Sequence, residues 1–435
     1  MNLYVVSLGC AKNQVDTEMI LGVCKEKMTL VSEPADADLI LVNTCAFIES
    51  ARKEAIDTIL TLADYKKNGS KLIVCGCLAQ RYKEEIIKLL PEVDRFISID
   101  EYSNIANIIN SVISSSYRLT GNYSPSNRVY STPNYMRYVK ISEGCLNHCA
   151  FCAIPLIRGR LKSRTIESIV EEVKKDVNDG VYEINLISQD TTKYGFDLYD
   201  NKLMIVPLLK EIVKIPGDFK VRLLYLYPDI VTDELIHFIK NNPKIMPYFD
   251  IPIQHSEDHL LKKMYRRGDR AYMLDLFKKI KNEIPDAVIR TTLIVGFPYE
   301  TEEDIDHLID FMDIVKFDRL GAFTFSLEEG TKACDYPDDI PLAEKQARYE
   351  RVMAHQQEIA LENNKKMIGK ILEDVFIIDY DEESFMYVAR NYAYAPDDID
   401  GCIYVAAKYE LNVGARVKVK ILDCDSYSLT GEQVE

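Results

Sequence analysis

No apolar run in the 435-residue chain approaches the roughly 18 uncharged residues that a membrane-spanning helix needs, and the opening MNLYVVSLGCAKNQVD has neither a basic region nor a cleavage site. A helical membrane protein and a secreted precursor are therefore not expected, and a cytoplasmic location is. Internal repeats and low-complexity segments are also missing. Basic residues are in deficit: 53 Lys and Arg stand against 69 Asp and Glu, a net charge of −16. That balance opposes general affinity for nucleic acid, because such binding rests on cations neutralising phosphates. What the chain does have is eleven cysteines. In a reducing compartment these are expected as thiols or thiolates rather than disulfides, and their odd number agrees.

The length allows two or three domains at about 150 residues each. Residues 1–118 alternate short β-branched runs (LYVVSLGC, ADLILVNTC, SKLIVCGC) with helical patterns, the rhythm of an α/β domain with a parallel sheet. Residues 119–133 shift to Ser, Asn, Tyr, Pro and Gly and read as a linker. Residues 134–368 repeat the β/α unit with six strand candidates (YVKISEGC, EINLISQD, VRLLYLYP, YFDIPIQH, VIRTTLIVGFP, LGAFTFSLE), which predicts a partial (β/α) barrel. Its chemistry would lie at the carboxyl ends of the strands. A long helix is expected from about Leu342 to Met367. Residues 369–435 carry short alternating strands and turn residues, the pattern of a small antiparallel β-barrel.

Three cysteines fall within eight residues in EGCLNHCAFCAIPLIRGR: Cys145, Cys149 and Cys152. Structural zinc takes four ligands, commonly as two close pairs, and only His148 is at hand to complete such a set. Three thiolates on a four-iron cube instead leave one iron without a protein ligand, open for chemistry. This spacing, with Phe151 before the last cysteine and a strand before the first, resembles the signature of the radical S-adenosylmethionine (SAM) enzymes. The resemblance implies an open iron that chelates the amino acid end of SAM and reduces it to a deoxyadenosyl radical.

Cys10, Cys45 and Cys77 each end a predicted strand of the first domain, and in a parallel sheet such ends share one edge. They could converge on one metal or be buried thiols packing as small hydrophobes. Cys24, Cys75, Cys334, Cys402 and Cys424 fit the second description. SLGCAKNQVDTEM, NTCAFIESARKEAID and CGCLAQRY are similar to the amino-terminal domain of the methylthiotransferases. That resemblance implies a second 4Fe-4S cluster on Cys10, Cys45 and Cys77, and a chain order of cluster domain, radical SAM barrel and a small β-barrel called TRAM.

Two branches of the family compete, one modifying an adenosine of transfer RNA and the other an aspartate of ribosomal protein uS12. CAFCAIPLIRGRLKSR, NLISQDTTKYG, LLYLYPD and YAPDDIDG are similar to the ribosomal-protein branch. The tail from Gly369 holds six basic and fourteen acidic residues, a net of −8, which suits a basic ribosomal protein better than RNA. Asp379, Asp381, Glu382, Glu383, Asp397, Asp398 and Asp400 are the candidate acidic contacts. Thr17, Tyr299 and Tyr394 depart from the family pattern without removing a cluster ligand.

The resemblance implies hydrogen removal from the β-carbon of the target aspartate and transfer of a methylated sulfur from the second cluster, with a separate electron donor. An unactivated C–H bond is beyond side-chain acid/base work, so a cofactor must carry the step. Candidate SAM contacts are Phe151, Gln189, Gln254 and Arg290, with His255 beside them; Arg158, Arg160 and Arg164 could reach SAM or substrate. A nonenzymatic iron–sulfur sensor would need the cysteines but no barrel.

Overall fold

A computed structural model describes residues 1–67, 69–113, 117–396 and 399–435. The first domain is a five-stranded parallel sheet of β1 (Asn2–Ser7), β2 (Thr29–Leu30), β3 (Leu39–Thr44), β4 (Lys71–Gly76) and β5 (Arg95–Ile97), in the order β2-β1-β3-β4-β5. LILVNT is buried along its whole length and KLIVCG along nearly all of it, as strands covered on both faces must be. Helices α1 (Ala11–Cys24), α2 (Glu49–Ala63), α3 (Cys77–Leu89) and α4 (Ile105–Val112) complete the domain. Of these α1 is exceptional, because every residue except Gln14 is buried.

The reason lies in the second domain. Its strands are β6 (Met136–Lys140), a short hairpin of β7 (Ser142–Glu143) and β8 (Lys162–Ser163), then β9 (Glu183–Ile187), β10 (Lys220–Leu223), β11 (Tyr248–Asp250), β12 (Val288–Val295) and β13 (Arg319–Thr324). Two parallel sheets, β10-β9-β6 and β11-β12-β13, meet through a bridge from Val221 to Ile245 and form the expected six-stranded partial barrel. Ala11, Val15 and Met19 of α1 pack against Met136, Tyr138, Ile187, Leu224, Tyr248 and Val288. The first domain thus plugs its helix into the barrel, which explains why α1 has no solvent-facing side.

Helix Leu342–Lys365 leads to a closed barrel of β14 (Ile371–Asp381), β15 (Met386–Arg390), β16 (Ile403–Ala406), β17 (Arg416–Cys424) and β18 (Leu429–Val434). The expectation of a purely antiparallel barrel needs one correction. β17 lies between β14 and β18, so β18 runs beside β16 in the same direction to close the ring.

The segment between β15 and β16 stops up the amino-terminal end of the partial barrel. Arg390 and Arg222 share Glu183 at 2.7 and 3.0 Å, Arg222 donates to the Tyr392 carbonyl, and Tyr392 donates to the Asp286 carbonyl. Asp400 accepts from Tyr248 Oη at 2.6 Å and pairs with Arg290 at 3.2 Å. Asp400 was expected on an acidic docking face; it is 7% exposed and ties the third domain to the second. Asp379, Glu382 and Glu383 are exposed at the β14–β15 hairpin, and Asp381 there accepts from Ser384 Oγ. Asp397 and Asp398 lie outside the described residues.

Candidate functional site

Cys10 caps α1 after β1, Cys45 follows β3, and Cys77 opens α3 after β4, so three neighbouring strands deliver three thiols to one edge. The approach is close. Gly9 has φ +85°, and a Cβ there would stand 2.6 Å from Cys45 Cβ, so glycine is required on both counts. The hydrogen bond between Cys45 and Cys77 pushes Cys45 up and Cys77 down to about 6; burial adds to the first shift and Arg158 to the second.

The second triad sits in the loop after β6. The β7–β8 hairpin pins the base of this loop, and Cys145 N–H donates to the Gly159 carbonyl at 3.1 Å. Cys152 N–H donates to the Cys149 carbonyl, which folds the turn that brings the two sulfurs to one side. Asn147 N–H lies 3.3 Å from Cys145 Sγ, while Tyr227 Oη and Arg266 Nη1 each lie 3.7 Å from Cys149 Sγ. Burial pushes the Cys145 thiol up to about 11 and raises Cys152 as well.

Among the described residues no three His, Cys, Asp or Glu side chains are placed to hold a single metal ion. A four-iron cluster asks for something else, one thiolate per iron, so its ligands stand apart by the size of the cluster. Soft sulfur donors fit that group by their chemistry; Cys45 and Cys77 are buried, Cys145, Cys149 and Cys152 are half-buried, and Cys10 is exposed.

Between the triads lies a buried polar joint. Arg158 Nη1 donates to Asp16 and to Glu143, both at 2.9 Å; its Nη2 donates to Asn13 Oδ1 and lies 3.8 Å from Cys77 Sγ. Lys140 pairs with Asp16 and Glu143, and Glu143 also accepts from Gln189 Nε2 at 2.8 Å. Lys12 Nζ donates to the Ser188 carbonyl at 3.2 Å and stands 3.5 Å from the centre of the Tyr225 ring; burial lowers its pKa. Farther out, Arg81 on α3 pairs with Glu328 at 2.8 Å, which latches the first domain to the loop after β13.

The sequence-based SAM candidates separate. Phe151 packs with Ala150, Phe297 and Phe325 beside the cysteine loop. Gln189 follows β9, and its buried Oε1 has no hydrogen-bond partner among the described residues. Gln254 continues the line of β11 as an isolated bridge to Leu293, with φ +73°. His255 is buried, with Nε2 3.4 Å from Glu300. These lie toward the carboxyl end of the barrel. Arg290 does not join them: it is the third residue of β12, paired with Asp250 at 2.9 Å and with Asp400. Alternation along the strand points it into the barrel, where Asp250 of β11 and Asp400 of the third domain take it. Arg164 is likewise taken, by Glu172, whereas Arg160 is exposed.

Comparisons with known proteins complete the picture. Residues 2–98 match "Uncharacterized protein family UPF0004", 139–312 the "Radical SAM superfamily" and 368–434 the "TRAM domain". The ribosomal protein uS12 methylthiotransferase RimO of Alkaliphilus oremlandii is 44% identical over 99% of both chains, and that of Desulforamulus reducens is 46% identical over 98% of both. The chain belongs to the RimO family. As a RimO-family chain it is a radical SAM transferase of the methylthiotransferase class. Among solved structures it is similar to the radical SAM methyltransferase TsrM of Kitasatospora setae (TM-score 0.55, 13% identity, 76% of each chain). It also resembles the cobalamin-dependent enzyme OxsB (TM-score 0.51, 12% identity, 82% of this chain and 56% of that one). At such identities the likeness is one of fold.

Several residues of this RimO-family site were not legible beforehand. Tyr227 and Arg266 reach Cys149 from separate loops, with the guanidinium 3.9 Å from the ring centre. Lys12 drew no separate reading from the sequence, and Arg158, expected to reach SAM or substrate, instead donates to Asp16, Glu143 and Asn13.

Proposed function

We propose that this chain methylthiolates the β-carbon of an aspartate in ribosomal protein uS12. Cys145, Cys149 and Cys152 would hold the 4Fe-4S cluster that binds SAM, and Cys10, Cys45 and Cys77 the auxiliary 4Fe-4S cluster. When bound, these groups supply the one-electron and radical chemistry that side chains lack. The chain's own residues do the rest. Arg158 and Glu143 hold the two triads in register, Phe151, Gln189 and Gln254 face SAM, and the plugged barrel keeps water out. Arg290 supports the floor of that site through Asp250. The exposed acidic hairpin of the third domain attracts basic uS12, and an external donor supplies electrons. Domain limits at residues 118, 134 and 369 and a cytoplasmic location belong to the same reading; among the described residues no helix is long and apolar enough to cross a membrane.

The observation that carries the proposal is Arg158 joining Cys77 of one triad to Glu143, two residues before Cys145 of the other, in a RimO-family chain. The test is mass spectrometry after anaerobic reconstitution with iron, sulfide, SAM and a reductant, offering uS12 and transfer RNA in parallel. A methylthio group on a uS12 aspartate is the expected result. A group found on transfer RNA alone overturns the choice of substrate.

A further inference from the structure

Lys12 is an anomaly in charge pairing. It is 7% exposed, yet among the described residues no carboxylate lies within ion-pair distance of its Nζ. A buried ammonium ordinarily pairs with an acid, because desolvation of the charge is otherwise uncompensated. The acidic groups that bear on it are Cys10, Glu143 and Asp250; Cys10 belongs to the auxiliary triad, Glu143 is committed to Lys140 and Arg158, and Asp250 to Arg290 and the Tyr225 N–H. Lys12 is left with one carbonyl, that of Ser188, and one aromatic ring.

Its position gives this meaning. Ser188 directly follows β9 and Tyr225 lies two residues past β10, so the ammonium sits over the carboxyl ends of two adjacent barrel strands, where barrel sites are built. Lys12 also lies two residues past Cys10, on the first turn of α1. It therefore stands between the auxiliary triad and the barrel's reactive end. Gln189, next to Ser188, presents an unpartnered buried oxygen at the same end.

We infer that Lys12 receives the carboxylate of the substrate side chain and so makes the site selective for an acidic residue. This rests on the proposed reaction at an aspartate. A lysine is suited to the task, since a compact ammonium binds a carboxylate as a point charge from several directions. SAM also carries a carboxylate, and the experiment separates the two sources.

The experiment uses full-length reconstituted enzyme and two forms of uS12, one with the native target aspartate and one with asparagine there. For wild type, Lys12→Met and Lys12→Arg it measures iron content, deoxyadenosine formed and methylthiolated product. Lys12→Met is expected to keep its iron and form deoxyadenosine at the wild-type rate. Its preference for aspartate over asparagine should fall on the order of tenfold to a hundredfold, the loss of one charge-assisted hydrogen bond. Lys12→Arg should retain part of that preference. An unchanged preference in Lys12→Met overturns the inference. Loss of deoxyadenosine together with product overturns it too, assigning Lys12 to the SAM carboxylate. If Lys12→Met fails to load iron, Lys12→Arg decides: a preference below that of wild type but not abolished, with deoxyadenosine retained, supports the inference, and any other result overturns it. Absence of product from wild type on native uS12 overturns the proposed reaction itself, and is told apart because it involves no variant.

Discussion

In the proposed reaction the cysteines divide the work, and their variants should fail differently. Cys145→Ala should abolish SAM cleavage, measured as deoxyadenosine, because an iron of the SAM-binding cluster loses its ligand. Cys77→Ala should leave cleavage in place and abolish the methylthio product; cleavage surviving in Cys145→Ala would sink the assignment of that loop. The loop stands out in the sequence because its three cysteines are neighbours and their spacing is local. Cys10, Cys45 and Cys77 lie far apart in sequence, as strand ends grouped only by resemblance, and the order β1-β3-β4 makes them neighbours. Arg158 could not be read at all in this sense, since Asp16 lies 142 residues away and Asn13 145. For Arg158→Gln we expect a lower reduction potential of the auxiliary cluster, read by a titration followed by electron paramagnetic resonance. Hydrogen bonds and positive charge at a cluster's sulfurs stabilise its reduced state.

Among elements, α1 and the β15–β16 segment depart furthest from their sequence. A helix with a solvent face shows a polar stripe, and α1 has no such face because its own sheet covers one side and the barrel the other. Charge alone suggested that Asp400 was solvated. Its burial follows from Tyr248, Arg290 and the Ala395 N–H converging on it, three partners from two domains. Asp400→Ala would strand Tyr248 and deprive Arg290 of one acid, so we expect a loss of about 3 kcal/mol in urea unfolding. A change below about 0.5 kcal/mol would mean the segment is a passive filler. The six barrel strands, by contrast, were all legible from β-branched runs between helical patterns.

For the whole molecule, charge and architecture act at opposite ends. The acidic hairpin bears Asp379, Glu382 and Glu383 together with Phe385, which is 78% exposed. Glu382→Lys with Glu383→Lys should raise KM for uS12 and weaken its salt dependence, while turnover at saturating substrate stays unchanged. An equal fall in kcat would place the hairpin at the reacting centre instead.

The stopper formed by the β15–β16 segment has a consequence for reach. The third domain is fastened at the amino end of strands whose carboxyl end carries the thiols, and β12 alone, with eight residues, spans about 26 Å. Arg222, Arg390, Glu183 and Asp400 fasten it there. It works as a fixed gauge: a protein held at one end of the molecule can offer to the other only a loop long enough to go around it.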